Sequence, residues 1–199
     1  MAEIRTFIAV RLNERIHRRL ELLQEELRGA TPPRMVRWVE PANIHLTLKF
    51  LGDVPEARIV EISQAIQTVA AGATPFSFEL AGLGCFPNTQ RPNVVWVGVQ
   101  EPAGRLARLQ ENVESALERL GFAREGRGFS PHLTLGRVRR EGRPADIAAV
   151  GQAIEKRRDK VTSVGRQEIA TITLFKSDLR PDGPIYTALA EMTLGAGPT

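Results

Sequence analysis

Apolar positions along the chain alternate between two spacings, and each change of spacing marks a new element. Ile4–Val10 alternates like a strand. Asn13 then stands where a helix cap belongs, ahead of Ile16, Leu20, Leu23 and Leu27, whose 4-3-4 spacing predicts a helix stopping near Gly29 and Pro32. Met35–Val39 and Ile44–Leu51 read as strands separated by the turn Glu40-Pro41-Ala42-Asn43. A helix from about Pro55 buries Ile59, Ile62, Ile66 and Val69, and Phe76–Leu83 is extended again. The Gly- and Pro-rich stretch 82–92 separates it from the clearest strand, Asn93–Val99. Pro102 opens a third helix carrying Leu106, Leu109, Val113, Leu117 and Leu120, with Gly121 as its stop. A strand around Ser130–Arg137 and a fourth helix from Pro144 through Ile147, Val150 and Ile154 follow. Val161–Phe175 supplies one long or two short strands, and Ile185–Met192 the last.

One four-residue pattern occurs twice in this series. His-Leu-Thr-Leu stands at His45–Leu48 and at His132–Leu135, 87 residues apart, and uses two of the three histidines. Both copies fall on expected strands, and each is followed by a helix that begins near a proline. The order of elements before and after the midpoint is similar, which predicts an α+β fold with a bilobal, pseudo-two-fold duplication. Two antiparallel-rich sheets would line a central cleft, with helices on the outside. Residues 1–199 are read as a single domain made of two interleaved lobes.

Strand alternation puts residues i and i+2 on one side, so His45 shares a face with Thr47, and His132 with Thr134. A lone histidine on an apolar strand is usually a core residue. Two copies of such a motif on strands arise by chance on the order of once in a few thousand chains, which favours chemistry over packing. One neutral imidazole can take a proton from water or a hydroxyl while the other, protonated, gives one to a leaving oxygen. The threonine hydroxyls can donate to phosphate oxygens between them.

Composition narrows the alternatives. The chain is 42% hydrophobic and 25% charged, ordinary values for a globular domain. Cys85 is the single cysteine, so an intrachain disulfide is excluded and a cytoplasmic location is expected. No apolar run reaches spanning length and no signal-peptide layout opens the chain, so no membrane association is expected. Two usable histidines and one distant cysteine make a poor zinc set, so no metal and no cofactor are expected. Serine-nucleophile and Walker motifs are missing. Of 27 basic residues only Lys49, Lys156, Lys160 and Lys176 are lysine. That arginine bias suits phosphate recognition but equally fits codon bias. His17, among Arg15, Arg18 and Arg19 on the first helix, is read as a solvated surface residue.

With the two motifs in hand, the chain resembles the 2H phosphoesterase superfamily, and within it the bacterial and archaeal RNA 2′,3′-cyclic phosphodiesterases, also called 2′-5′ RNA ligases. The resemblance covers Arg5–Val10, Asn43–Gly52, Val95–Gly98, Ser130–Arg137 and Gly183–Tyr186. It implies metal-independent opening of a terminal 2′,3′-cyclic phosphate to a 2′-phosphate, and reversible 2′-5′ ligation, on RNA ends that are the expected partner of a monomer. It further implies His45 as proton donor to the departing 3′ oxygen, His132 as proton acceptor from water, and Thr47, Thr134 and Arg137 as phosphate-binding residues.

Strand geometry raises one difficulty with that set. In a regular strand Arg137 points away from His132, so it needs a strand end or a bulge to reach the site, and Gly136 would permit a bulge. By the same alternation Phe50 lies opposite His45 and belongs in the core, whereas Lys49 shares the His45 face and lends charge at the cleft rim. Phe7, Trp38 and Tyr186 are candidates for stacking on a base. Two further readings remain open: a phosphodiesterase acting on small cyclic nucleotides or an ADP-ribose cyclic phosphate, and a non-catalytic module that binds RNA ends.

Overall fold

The computed structural model describes residues 2–181 and 183–195. Nine strands and four helices follow one another as β1 (Glu3–Val10), α1 (Glu14–Ala30), β2 (Val36–Trp38), β3 (Leu46–Pro55), α2 (Ile59–Ala71), β4 (Phe76–Phe86), β5 (Val94–Gln100), α3 (Arg105–Glu118), β6 (His132–Val138), α4 (Pro144–Glu155), β7 (Gly165–Ile169), β8 (Thr171–Arg180) and β9 (Gly183–Thr193). The expected cap forms: Asn13 Oδ1 accepts from the Ile16 amide at 2.9 Å, satisfying one of the free donors of the first turn of α1. The leucine stripes of α1 and α3 are buried as their spacing requires.

The strands form two antiparallel sheets, ordered β3-β1-β8-β9 and β2-β6-β5-β4-β7. This confirms the α+β architecture and shows how the two halves of the chain interleave. In the first sheet β1 and β3 come from the first half and β8 and β9 from the second. In the second sheet β2 and β4 come from the first half, β6 and β7 from the second, and β5 spans the midpoint. The helices cross over as well. Gln24 of α1 donates to carbonyls beside the second sheet, whereas Glu114 of α3 is tied to β3 of the first. The motif leucines Leu46, Leu48, Leu133 and Leu135 lie in the continuous core, each no more than 3% exposed. Burial of a leucine stabilises a fold by roughly 1.5–3 kcal/mol, so these four anchor the histidines on their strands.

Four expectations need correction. β3 continues to Pro55, and a 3-10 turn at Glu56–Arg58 follows it, so α2 starts at Ile59 rather than near Pro55. β3 also begins at Leu46, leaving His45 just ahead of its ladder. β4 runs on through the glycines to Phe86, because Gly82 at φ +72° forms a bulge that lets pairing with β5 resume at Leu83. His17 is half-buried rather than solvated, with its Nε2 shielded and without a hydrogen-bond partner among the described residues.

Candidate active site

The two histidines are held in the same way. His45 Nδ1 lies 2.8 Å from the Asn43 carbonyl oxygen, and His132 Nδ1 lies 2.8 Å from the Ser130 carbonyl oxygen. A carbonyl can only accept, so each Nδ1 carries the proton and each neutral ring keeps its lone pair on Nε2. The local geometry repeats because each histidine donates its hydrogen bond two residues upstream, at the entrance to its strand.

Beyond the histidines the repeat continues into the ladder. Ala9 pairs with Thr47 and Ile8 with Lys49, which leaves Leu48 unmatched. Trp96 pairs with Thr134 and Val95 with Gly136, which leaves Leu135 unmatched. Both motifs therefore carry a β-bulge at their final leucine, and from there on the sides of the strand exchange. In β6 the exchange turns Arg137 outward, onto the face of His132 and Thr134. Of the two routes open to Arg137, a strand end or a bulge, the strand takes the bulge, at Leu135 rather than at Gly136. Gly136 is needed for another reason: a Cβ there would stand 2.5 Å from Val36 Cγ1 and 3.1 Å from the Trp38 ring.

In β3 the same exchange reverses two expectations. Lys49 is buried and away from the rim, its Nζ 2.6 Å from Glu114 Oε2 and 2.8 Å from the Ala123 carbonyl oxygen. Phe50, expected in the core, is 65% exposed and occupies the place in its motif that Arg137 occupies in the other. Simple alternation missed both because a bulge cannot be read from spacing. A weaker signal was available in the helices. Gln24 and Glu114 interrupt apolar stripes, and both turn out to fasten a bulge. Gln24 Nε2 donates to the Leu135 carbonyl at 2.9 Å and to the Val39 carbonyl at 2.8 Å, and Glu114 pairs with Lys49. Each motif is thereby clasped by a helix from the other half of the chain.

Aromatic rings surround both imidazoles. Phe7 stacks on His45 with centroids 4.7 Å apart, and Tyr186 meets it edge-on at 5.2 Å. Phe86 meets His132 edge-on at 4.7 Å, with Trp96 at 6.5 Å. Of the stacking candidates named from sequence, Phe7 and Tyr186 reach the site, whereas Trp38 packs against the core beneath β6. Burial pushes the His45 imidazole down to about 4, with its Asn43 hydrogen bond opposing the shift. His132 is lowered for the same reason, burial outweighing the Ser130 hydrogen bond, and the Arg137 charge adds to the shift. Burial raises the Tyr186 hydroxyl, while the charges of Arg137 and Arg5 oppose that rise. Arg137 therefore acts on His132 in one sheet and on Tyr186, beside His45, in the other. Strands β3 and β6, which carry the two motif threonines, also lie against each other. Among the described residues, no group of three or more His, Cys, Asp or Glu side chains is placed to hold a metal ion.

A two-lobed α+β fold that carries the same histidine–threonine strand twice matches one class of protein, the phosphoesterases. The LigT-like phosphoesterase family model matches the chain twice, at residues 10–96 and 97–186, once for each half. The chain belongs to that family. It is 35% identical over 188 residues to the RNA 2′,3′-cyclic phosphodiesterase of Methanothermobacter thermautotrophicus, covering 93% of this chain and 96% of that one. It is 38% identical over 187 residues to the enzyme of the same name from Archaeoglobus fulgidus, covering 94% and 98%. A crystal structure from Thermus thermophilus superposes with a TM-score of 0.78 at 28% identity, covering 96% and 98%. The complex of E. coli LigT with 3′-AMP superposes with a TM-score of 0.72 at 25% identity, covering 97% and 99%. No helix among the described residues is long and apolar enough to cross a membrane.

Proposed function

We propose that the protein opens the terminal 2′,3′-cyclic phosphate of RNA to a 2′-phosphate without a metal ion, using His45 and His132 as a proton-transfer pair. The observation that carries this reading is the duplicated geometry: two imidazoles with Nδ1 pinned to a carbonyl and Nε2 free, each on a bulged strand with a threonine on the same face. Relatives that match over nearly the whole chain and are named RNA 2′,3′-cyclic phosphodiesterases support the choice of substrate.

In this reading the phosphate lies between the strands, held by the Thr47 and Thr134 hydroxyls and the Arg137 guanidinium. Arg137 offers parallel donors to the equatorial oxygens, where charge builds in the transition state. His132 Nε2 takes a proton from water, which attacks phosphorus. The P–O3′ bond breaks in line, and O3′ leaves with a proton from His45 Nε2. The assignment of His45 as donor follows the resemblance. Its low pKa in the free protein means that the substrate's anionic charge must convert it to imidazolium on binding. Replacing water with an RNA 5′-hydroxyl gives a 2′-5′ phosphodiester by the same steps, and the reverse reaction cleaves it.

The test is a time course with end-labelled RNA bearing a 2′,3′-cyclic phosphate, run in EDTA and resolved for 2′- and 3′-phosphate. Turnover to the 2′-phosphate is expected. No turnover, EDTA inhibition reversed by added metal, or a 3′-phosphate product would each contradict the reading. Comparison with mononucleoside 2′,3′-cyclic phosphates and an ADP-ribose cyclic phosphate separates RNA ends from small cyclic substrates. Binding of the labelled RNA without product would indicate an end-binding module.

A further inference from the structure

On the His132 side, the site face of the second sheet continues past the histidine into a cavity that the chemistry above does not use. Thr134 pairs with Trp96 of β5, and Trp96 pairs with Gly84 of β4, so the three positions stand in a row across the sheet, on one side of it. The Trp96 indole lies flat along that row. A Cβ at Gly84 would be 2.2 Å from Trp96 Cζ2 and 2.8 Å from Cε2, so only glycine leaves room for the ring. The Cε2 edge bears Nε1, a buried donor without a hydrogen-bond partner among the described residues.

The row ends in a cavity of about 340 Å³ lined by Gly84, Trp96, Asn88, Gln90, Glu155 and Arg158. That volume falls at the lower end of small-molecule sites, large enough for one heterocycle. Its wall is preformed. Asn88 Oδ1 accepts from the amides of Gln90 and Arg91 at 3.1 and 2.9 Å, and the loop is pressed on α4 so closely that a Cβ at Gly151 would stand 1.7 Å from the Thr89 oxygen. Its charge is balanced: Arg158 Nη1 lies 3.7 Å from Glu155 Oε1. A partly exposed indole beside amide side chains and a neutralised arginine suits an uncharged aromatic ring with polar edges better than a phosphate.

We propose that this cavity is a nucleobase subsite for the nucleoside whose 5′-hydroxyl is presented to His132. The inference rests on the reaction proposed above, in which His132 serves the attacking oxygen. Two inter-strand spacings, about 10 Å, separate the strand of His132 from that of Gly84, the reach of one nucleoside from its 5′ oxygen to its base. The ligation step balances without a further reactant. The 5′-oxygen attacks phosphorus and its proton passes to His132, the P–O3′ bond breaks, and O3′ receives a proton from His45.

Two measurements test the subsite. In a Trp38→Phe background Trp96 is the only indole, because the chain has two tryptophans. Adenosine is expected to quench its fluorescence saturably, and the absence of saturable quenching would overturn the subsite. Second, cyclic-phosphate RNA is incubated with adenosine as acceptor, and the ratio of 2′-5′-linked product to 2′-phosphate is read. The ratio is expected to saturate with adenosine, to fall about tenfold in Trp96→Leu, and to recover in Trp96→Phe. A ratio that rises linearly with adenosine and is the same in Trp96→Leu would overturn the subsite. Quenching by adenosine without any opening of the cyclic phosphate would instead overturn the reaction it is proposed to serve, and the acceptor role with it.

Discussion

An anion bound between the two motifs is expected to return His45 to the imidazolium form, and the size of that change can be worked from the site. Burial holds His45 at about 4 in the free protein, so at pH 7 about one molecule in a thousand carries the proton that O3′ needs. One negative charge about 4 Å from Nε2 contributes about 4 kcal/mol at an effective dielectric near 20. That is about three pK units, and the sign is upward because an opposite charge favours the charged ring. The midpoint would then lie near 7, where a general acid is most effective. The assay is a proton NMR titration of the imidazole Cε1–H signals with and without saturating 2′-AMP. The three histidines are assigned by His17→Gln, His45→Gln and His132→Gln. A His45 midpoint that stays near 4 while the nucleotide is bound would refute its role as donor. A rise confined to His132 would exchange the two roles.

Other consequences follow from the same contacts. Because the folded His45 midpoint lies below the unfolded value near 6.5, the unfolded chain binds more protons between these limits, and stability falls as pH drops from about 6.5 to 4. His45→Phe keeps a ring against Phe7 and is expected to remove about 3 kcal/mol of that acid loss, read from urea unfolding at pH 7 and pH 4; an unchanged pH slope would contradict the burial argument. Glu114→Gln leaves the buried Lys49 ammonium without its carboxylate and is expected to cost about 3–5 kcal/mol in urea unfolding. Much of that loss should return in a Lys49→Met/Glu114→Leu double variant, and a single variant as stable as wild type would show that the pair is not needed. Arg137→Ala is expected to lower kcat on cyclic-phosphate RNA about 10²–10³-fold with an unchanged unfolding midpoint, because the side chain is exposed. Loss of stability without loss of kcat would remove Arg137 from the phosphate site.

Much of the fold was legible because its elements follow hydrophobic spacing, and the leucine stripes of α1 and α3 lie in the core as their periods require. Repetition revealed the duplication, and the family model matches each half in turn. The sharing of strands between the sheets, β2 and β4 in the second and β8 and β9 in the first, and the clasping of each motif by the other half's helix depend on long-range contacts without a local signal. The errors at Lys49 and Phe50 share one cause. A bulge at Leu48 reverses the sides of β3, and its counterpart at Leu135 is what brings Arg137 to the site face. Alternation locates residues only up to the first bulge. The low pKa of His45 was equally unreadable, since it arises from rings contributed by β1 and β9, far from the motif in sequence.

The central claim is that His45 and His132 act as a unit on one phosphate, and single-turnover kinetics of His45→Ala, His132→Ala and the double variant on end-labelled 2′,3′-cyclic-phosphate RNA test it most directly. Groups that act as a unit are non-additive, so each single variant is predicted to lose at least about 10³-fold in rate and the double variant little more. Near-wild-type opening by either single variant, or losses that simply multiply in the double, would contradict the account.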